Sequence, residues 1–128
     1  MSVLVDSSVW IDYFRGSNNT DRPDKLDYLI DEGLLVTNDL ILAELIPPLN
    51  IRNQRRIISL LKTLTRIPVN IDWDHLIEMQ TKCIRKGINK VGIPDLIIAQ
   101  NAIFNSLDLY SHDNHFKLMS NHISLSLY

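Results

Sequence analysis

Short apolar segments alternate with amphipathic segments along the chain, and this alternation limits the possible folds more than any other feature. Residues 3–5, 34–37 and 107–111 are short and mostly apolar, which predicts strands. Between them the apolar residues have helical spacing. Repeated strand–helix–strand units give a parallel sheet with helices on both faces. The sequence therefore predicts an α/β fold with a mainly parallel sheet.

Capping residues, glycines and prolines mark the ends of the predicted helices. We expect a helix capped by Asn38 or Asp39 to stop at Pro47–Pro48, because proline has no amide hydrogen to donate. Asp72 caps a helix that Gly87 ends. Further helices are predicted within residues 9–14, 23–33, 57–64 and 94–105, with a polar loop over residues 18–22.

Two weaker strands complete the expected sheet. Residues 67–71 predict a strand that Pro68 interrupts, and residues 123–127 alternate between apolar and polar positions as a last strand. Repeats and linkers are not visible in the sequence. Because 128 residues suit one domain, we expect a single domain over residues 1–128.

Composition excludes several classes of protein. Hydrophobic residues make up 45% of the chain and charged residues 22%, which is an ordinary globular balance. The sequence contains no bilayer-length apolar run and no signal peptide, so we expect a cytoplasmic protein without membrane contact. The single cysteine, Cys83, lies in a predicted helix, where a small buried hydrophobe is the commoner role.

Positive charge is concentrated in one part of the chain, although the net charge is −2. A mildly acidic protein can carry a basic face in this way, which would contact phosphates. The same residues are equally consistent with the solvated sides of two amphipathic helices. They are Arg52, Arg55, Arg56, Lys62, Arg66, Lys82, Arg85, Lys86 and Lys90.

Carboxylates occur at places where ordinary surface charge is not expected. Asp6 is the only charged side chain in the first eleven residues, at the junction between a strand and a helix. Glu44 lies inside an apolar helical run, and Asp95 precedes another. Because an unpaired buried carboxylate takes up a proton rather than stay ionised, these residues require a compensating positive charge.

Asp113 adds a geometric argument, since it follows the strand at 107–111 as Asp6 follows the first strand. Neighbouring parallel strands end at the same edge of a sheet, where ligands bind. Glu44 and Asp95 then reach that edge from flanking helices. An all-oxygen cluster of this kind suits Mg²⁺ or Mn²⁺, and a bound metal activates water for phosphodiester hydrolysis.

Each acid also has a structural alternative. Asp6 and Asp95 suit helix N-caps, which stabilise a helix by about 1 kcal/mol each. Glu44 suits a buried ion pair with Arg15 or Lys90. Only the occurrence of all four acids together favours the metal site.

Rival sites lack necessary residues. A phosphatase of the haloacid dehalogenase type requires a second aspartate where this chain has Ser8, and a receiver domain requires an early pair of adjacent acids. Zinc binding by His112, His115 and His122 lacks a convincing fourth ligand.

Taken in order, the motifs VLVDSSVWIDYF at 3–14, Ala43–Glu44, GIPDLIIA at 92–99 and SHDNHF at 111–116 resemble those of PIN-domain proteins of the VapC toxin type. The resemblance covers nearly the whole chain. It implies a three-layer α/β/α sandwich and a Mg²⁺- or Mn²⁺-dependent endoribonuclease. It also implies an RNA substrate, a cognate antitoxin that inhibits the toxin, and a homodimer.

The resemblance also assigns site residues. The acids that match the family's active site and metal ligands are Asp6, Glu44, Asp95 and Asp113. Ser7 and Ser111 match positions where a small hydroxyl residue supports that site, and His115 stands where many relatives carry a further acid. A domain that keeps the acids for structure and only binds RNA or a partner is the alternative.

The segment Pro47–Ile51 suggests how partners bind. Together with the apolar helices on either side, it supplies more hydrophobic surface than one small sheet needs. We expect a homodimer and a groove for an amphipathic antitoxin helix, with an arginine extended towards the acids.

Overall fold

A computed structural model describes residues 2–16 and 23–128, without the side chains of residues 23 and 24. The predicted loop over residues 18–22 lies outside this description. The strands are β1 (Val3–Val5), β2 (Leu35–Thr37), β3 (Thr65–Arg66) and β4 (Asp108–Tyr110). The helices are α1 (Ser7–Arg15), α2 (Pro23–Asp31), α3 (Asp39–Ile51), α4 (Arg55–Thr63), α5 (Trp73–Arg85), α6 (Ile93–Phe104) and α7 (Asn114–Ser120).

The strands form one parallel sheet in the order β3-β2-β1-β4. In β1 all of Val3, Leu4 and Val5 are inaccessible to solvent. Because successive strand side chains point to opposite faces, complete burial of β1 requires helices against both faces of the sheet. The predicted α/β/α sandwich with a parallel sheet is therefore confirmed.

Helix α3 does not stop at Pro47–Pro48 as we expected, but continues to Ile51. The prolines leave the carbonyls of Ala43 and Glu44, four residues earlier, without their usual helical donors. All four of these residues are exposed, so water can satisfy the carbonyls. Buried Leu45 and Leu49 hold the turns on either side against the core.

The two weaker strands also differ from the expectation. Pairing with β2 involves Thr65 and Arg66, and residues 67–71 are not a strand. The backbone amide of Ile67 still donates to Thr37 O (2.8 Å), after which Pro68 has no donor to continue the ladder. Residues 123–127 contribute only one bridge, between Leu127 and Leu109.

Helix α7 was not predicted. Its N-cap is Asp113, whose carboxylate accepts a hydrogen bond from the backbone amide of His115 (2.9 Å). Phe116 and Met119, three residues apart, face the core. The signal was therefore present in the sequence as a capping residue followed by an apolar pair at helical spacing.

Buried amide side chains hold the irregular segment between β3 and α5 against α6. Asn101 accepts a hydrogen bond from Asn38 Nδ2 (2.9 Å) and donates to the Pro68 carbonyl (2.9 Å). Gln100 accepts from the Asp72 amide (3.0 Å) and donates to the Asp72 carbonyl (2.9 Å). These bonds replace the ladder that a full strand over residues 67–71 would have made.

A continuous core fills the space between the sheet and the helices, and Cys83 is completely buried in it, as expected. Across residues 2–16 and 23–128, each helix is too short or too polar to cross a bilayer.

Substitution Asn101→Ala tests the buried amide network. It would leave the Nδ2 donor of the completely buried Asn38 without its acceptor and would remove the donor to the Pro68 carbonyl, so we expect a loss of about 1 to 3 kcal/mol in the free energy of unfolding. Urea denaturation measures this. The control is Asn105→Ala, an exposed side chain on the same helix end, which should cost less than about 1 kcal/mol. Equal losses in the two variants would contradict the role given to the network.

Candidate active site

Asp6 and the end of β4 lie side by side at the carboxyl edge of the sheet. Val5 pairs with Tyr110, and the Asp6 amide donates to the Tyr110 carbonyl (2.9 Å). This pairing brings the residue after β1 next to the residues after β4, as the sequence predicted. Asp6 is only 5% exposed, although it is the N-cap of α1.

Two serine hydroxyls hold the Asp6 carboxylate. Oδ2 accepts hydrogen bonds from Ser8 Oγ (2.7 Å) and from Ser111 Oγ (2.9 Å). Ser111 Oγ also accepts from the Asp113 amide (2.9 Å), so it joins the two acidic segments. Ser111 therefore contacts both acidic segments, and its supporting role in the site stays a prediction. At the other predicted position the contact comes from Ser8 rather than Ser7, whose role stays a prediction.

Asp95, Asp113 and His115 form the tightest group of possible metal ligands in the described part of the chain. One ligand atom from each residue lies within 4.8 Å of the others. His115 Nδ1 is 3.2 Å from Asp113 Oδ1, and both side chains are about one-third exposed. Of the histidines considered for zinc, only His115 belongs to this group, and it belongs with the acids.

Asp95 is not a helix N-cap, because that position in α6 is Gly92 and Asp95 lies in the first turn. Burial raises the pKa of the Asp95 carboxyl, and the negative charges of Asp113 and Asp6 raise it further. His115 and the Gly92 backbone amide act in the opposite direction. The raised pKa indicates that the anionic form lacks sufficient positive charge around it.

Glu44 reaches the same cluster from α3, but it is not the buried residue that the apolar run suggested. Its side chain is exposed, and within the described ranges it makes no ion pair with Arg15 or Lys90. Nearby protein atoms still reduce its solvation, so the Glu44 pKa is raised by desolvation and then by Asp6 and Asp95. The ion-pair alternative is therefore not supported.

Sequence reasoning missed the residues that support the acids through hydrogen bonds, namely Ser8, Asp12 and His112. His112 donates its backbone amide to Ser8 Oγ (3.0 Å), and its Nδ1 lies 2.6 Å from Asp12 Oδ2. These contacts tie α1 to the segment after β4. The signal that points to Ser8 is its position two residues after Asp6, from which a hydroxyl reaches a capping carboxylate.

Four carboxylates therefore converge at one edge of the sheet, and the His115 imidazole lies among them. The donor set suits a divalent cation, because carboxylate oxygens are its preferred ligands and because burial, followed by the charges of the neighbouring acids, raises the pKa of Glu44 and of Asp95.

A family model described as the PIN domain matches residues 3–121. The chain belongs to the PIN-domain family. Known structures of similar fold include toxin–antitoxin complexes. VapBC2 from Rickettsia felis, bound to a promoter DNA fragment, has a TM-score of 0.76 at 20% identity and covers 100% of this chain and 98% of its own.

Two further structures have the same fold as this PIN domain. VapBC-1 from nontypeable Haemophilus influenzae has a TM-score of 0.75 at 21% identity, covering 100% of this chain and 97% of its own. VapBC-5 from Mycobacterium tuberculosis has a TM-score of 0.70 at 22% identity, covering 99% and 98%. Among curated proteins, none matches the chain.

The raised carboxyl pKa values predict a specific pH dependence of stability without metal. A carboxyl with a pKa raised by folding binds more protons in the folded state, so stability falls as pH rises from the unfolded pKa, about 4, through the folded pKa. Asp95→Asn mimics the protonated form. We expect the melting temperature of this variant to equal that of wild type near pH 4 and to exceed it at neutral pH. Thermal unfolding in EDTA measures both.

The control for this measurement is Asp74→Asn, an exposed acid in the first turn of α5. Its melting temperature at neutral pH should not exceed that of wild type. A constant difference between Asp95→Asn and wild type across the pH range would show that Asp95 is not under electrostatic strain.

Proposed function

We propose that this PIN domain is a metal-dependent endoribonuclease that hydrolyses RNA phosphodiester bonds, and that it is the cytoplasmic toxin of a toxin–antitoxin pair. The observation that carries the proposal is the convergence of Asp6, Glu44, Asp95 and Asp113 at one sheet edge, with raised pKa values for two of them. Membership of the PIN-domain family and the fold shared with VapBC complexes support it.

Asp95 and Asp113 are the residues best placed to hold a divalent cation, with Asp6 and Glu44 beside them. When bound, such an ion supplies an activated water and stabilises negative charge on the phosphate. The protein's own contribution is orientation. Asp6 is held by two serine hydroxyls and Asp113 is held as the cap of α7, so neither carboxylate must reorganise on binding.

His115 bears on which ion the site prefers. Mg²⁺ binds oxygen ligands almost exclusively, whereas imidazole is a better ligand for transition metals. Because His115 lies within 4.8 Å of both Asp95 and Asp113, the donor set favours Mn²⁺ over Mg²⁺.

A groove between α1 and α3 suits the proposed antitoxin. It has a volume of about 150 Å³. Apolar side chains including Ile11, Phe14 and Leu49 line it, together with the charged residues Arg15, Glu44 and Arg52. An amphipathic helix laid in this groove would bury its apolar face there. An arginine extended from it towards Glu44 would form a charge-assisted contact with the acidic cluster and compete with metal.

The proposed homodimer would use the apolar end of α3. Ile51 is 84% exposed at the last position of the helix, beyond the two exposed prolines. Burial of such a side chain in an interface removes apolar area from water, which favours association.

The basic side chains between residues 52 and 90 are proposed to contact RNA phosphates.

Cleavage of single-stranded RNA in Mn²⁺ tests the proposed activity. Asp6→Asn and Asp95→Asn should each lower the rate by ~100-fold or more, because loss of groups that merely support a metal ligand already costs ~10- to 100-fold. Asp74→Asn is the matched control and should cleave as wild type does. Undiminished cleavage by the site variants would indicate a contaminating nuclease, and RNA binding without cleavage by wild type would favour a non-catalytic domain.

Thermal unfolding with and without metal tests the ion site independently of activity. Saturating Mn²⁺ should stabilise the fold, by roughly 2.7 kcal/mol at a hundredfold excess over the Kd, and Mg²⁺ should stabilise it less. In Asp113→Asn the response to Mn²⁺ should shrink, while asparagine still caps α7 and the metal-free protein keeps its stability. A wild type indifferent to divalent ions would refute the metal site.

A further inference from the structure

A second cleft opens beside the acidic cluster, on the β4 side of the sheet. Its volume is about 330 Å³. Its lining includes Ser111 and Asp113, which belong to the acidic edge of the sheet. The lining also includes two basic and two aromatic residues, namely Lys25, Lys117, Tyr110 and Tyr128. Acidic and basic groups therefore line a single cleft.

Lys25 occupies an unusual position in this cleft. Its ammonium lies 4.6 Å from the centre of the Tyr110 ring and 5.2 Å from the centre of the Tyr128 ring. Within the described ranges no carboxylate forms an ion pair with it. Cation–π attraction fixes the ammonium without neutralising it, so its charge stays available to an anion.

Leu127 and Tyr128 bring the two aromatic rings of this cleft together. Leu127 pairs with Leu109, and the Tyr128 amide donates to the Leu109 carbonyl (2.9 Å). This places the Tyr128 ring 5.5 Å from the Tyr110 ring. The segment over residues 123–127 does not form a full strand, but its bridge to β4 positions the Tyr128 ring beside Lys25.

We propose that this cleft binds a backbone phosphate of the RNA strand next to the phosphate that is cut, with Lys25 as the principal contact and Lys117 beside it. The proposal rests on the proposed ribonuclease function. A nucleic-acid strand carries phosphates at regular intervals, so one phosphate at the acidic cluster places a neighbouring phosphate alongside. The lining of the cleft matches that arrangement, because it combines Asp113 of the proposed metal site with a lysine ammonium that has no ion-pair partner among the described residues.

Equilibrium binding of a fluorescent single-stranded RNA in EDTA tests the subsite without any cleavage. Affinity is measured between about 50 and 200 mM KCl for wild type, Lys25→Gln and Lys25→Arg. Each phosphate contact to single-stranded nucleic acid contributes about 0.7 to the slope of log affinity against log salt. We expect the slope of Lys25→Gln to be smaller than that of wild type by about 0.7, and the slope of Lys25→Arg to equal that of wild type.

A charge-matched variant separates a local contact from a change in overall charge. Lys25→Gln with Asp31→Asn has the wild-type net charge, and Asp31 is an exposed residue at the end of the same helix. The reduced slope should persist in this double variant. A return to the wild-type slope would show that Lys25 acts only through net charge, and that would overturn the subsite.

The remaining outcomes separate the subsite from the enzymatic activity. A wild-type slope in a folded Lys25→Gln protein that still cleaves RNA in Mn²⁺ would refute the subsite alone. Wild type could also bind RNA without cutting it while Lys25→Gln shows the reduced salt slope. That result would support the phosphate site at Lys25 and refute the proposed hydrolysis. Melting curves establish that each variant is folded.

Discussion

Parallel pairing of β1 with β4 is the interaction on which the candidate site depends. The two strands are separated by about 100 residues of sequence, yet Val5 lies opposite Tyr110 and the Asp6 amide binds the Tyr110 carbonyl. This contact places Asp6 within reach of the Ser111 hydroxyl, which in turn binds the Asp113 amide. A shift of one residue in this register would turn the side chains of β4 to the opposite face and separate the acids.

The acidic cluster lowers the stability of the fold, but the same arrangement of carboxylates suits a divalent cation. Asp6 is the most buried of the four acids, and its carboxylate is stabilised by hydroxyl donors from Ser8 and Ser111. Among the described residues no hydroxyl donates to Glu44 or Asp95 in this way, and burial followed by repulsion from neighbouring acids raises their pKa values. The energy that the fold loses here is the energy that a divalent cation would recover, which explains why the same geometry is unfavourable alone and suited to binding.

Helix α6 connects this cluster to the rest of the structure. Asp95 lies in its first turn, while Gln100 and Asn101 lie near its other end and bind the backbone of Asp72 and Pro68. Buried amides with both donors and acceptors satisfied fix the position of a helix more specifically than apolar contacts alone. The orientation of Asp95 is therefore set partly by hydrogen bonds far from the site.

The sequence by itself determined the strand–helix alternation, the helix caps Asp6, Asn38 and Asp72, and the choice of the four acids proposed for the site, because these follow from local periodicity and from the cost of charge in apolar runs. Tertiary structure alone decided which side of α3 faces water, and hence that the helix continues through Pro47–Pro48 and that Glu44 is exposed. It also decided that Ser8 binds Asp6, that His115 joins the acids, and that Lys25 lies between two tyrosine rings. These contacts join groups on different elements, and only strand pairing and packing determine which of those groups meet.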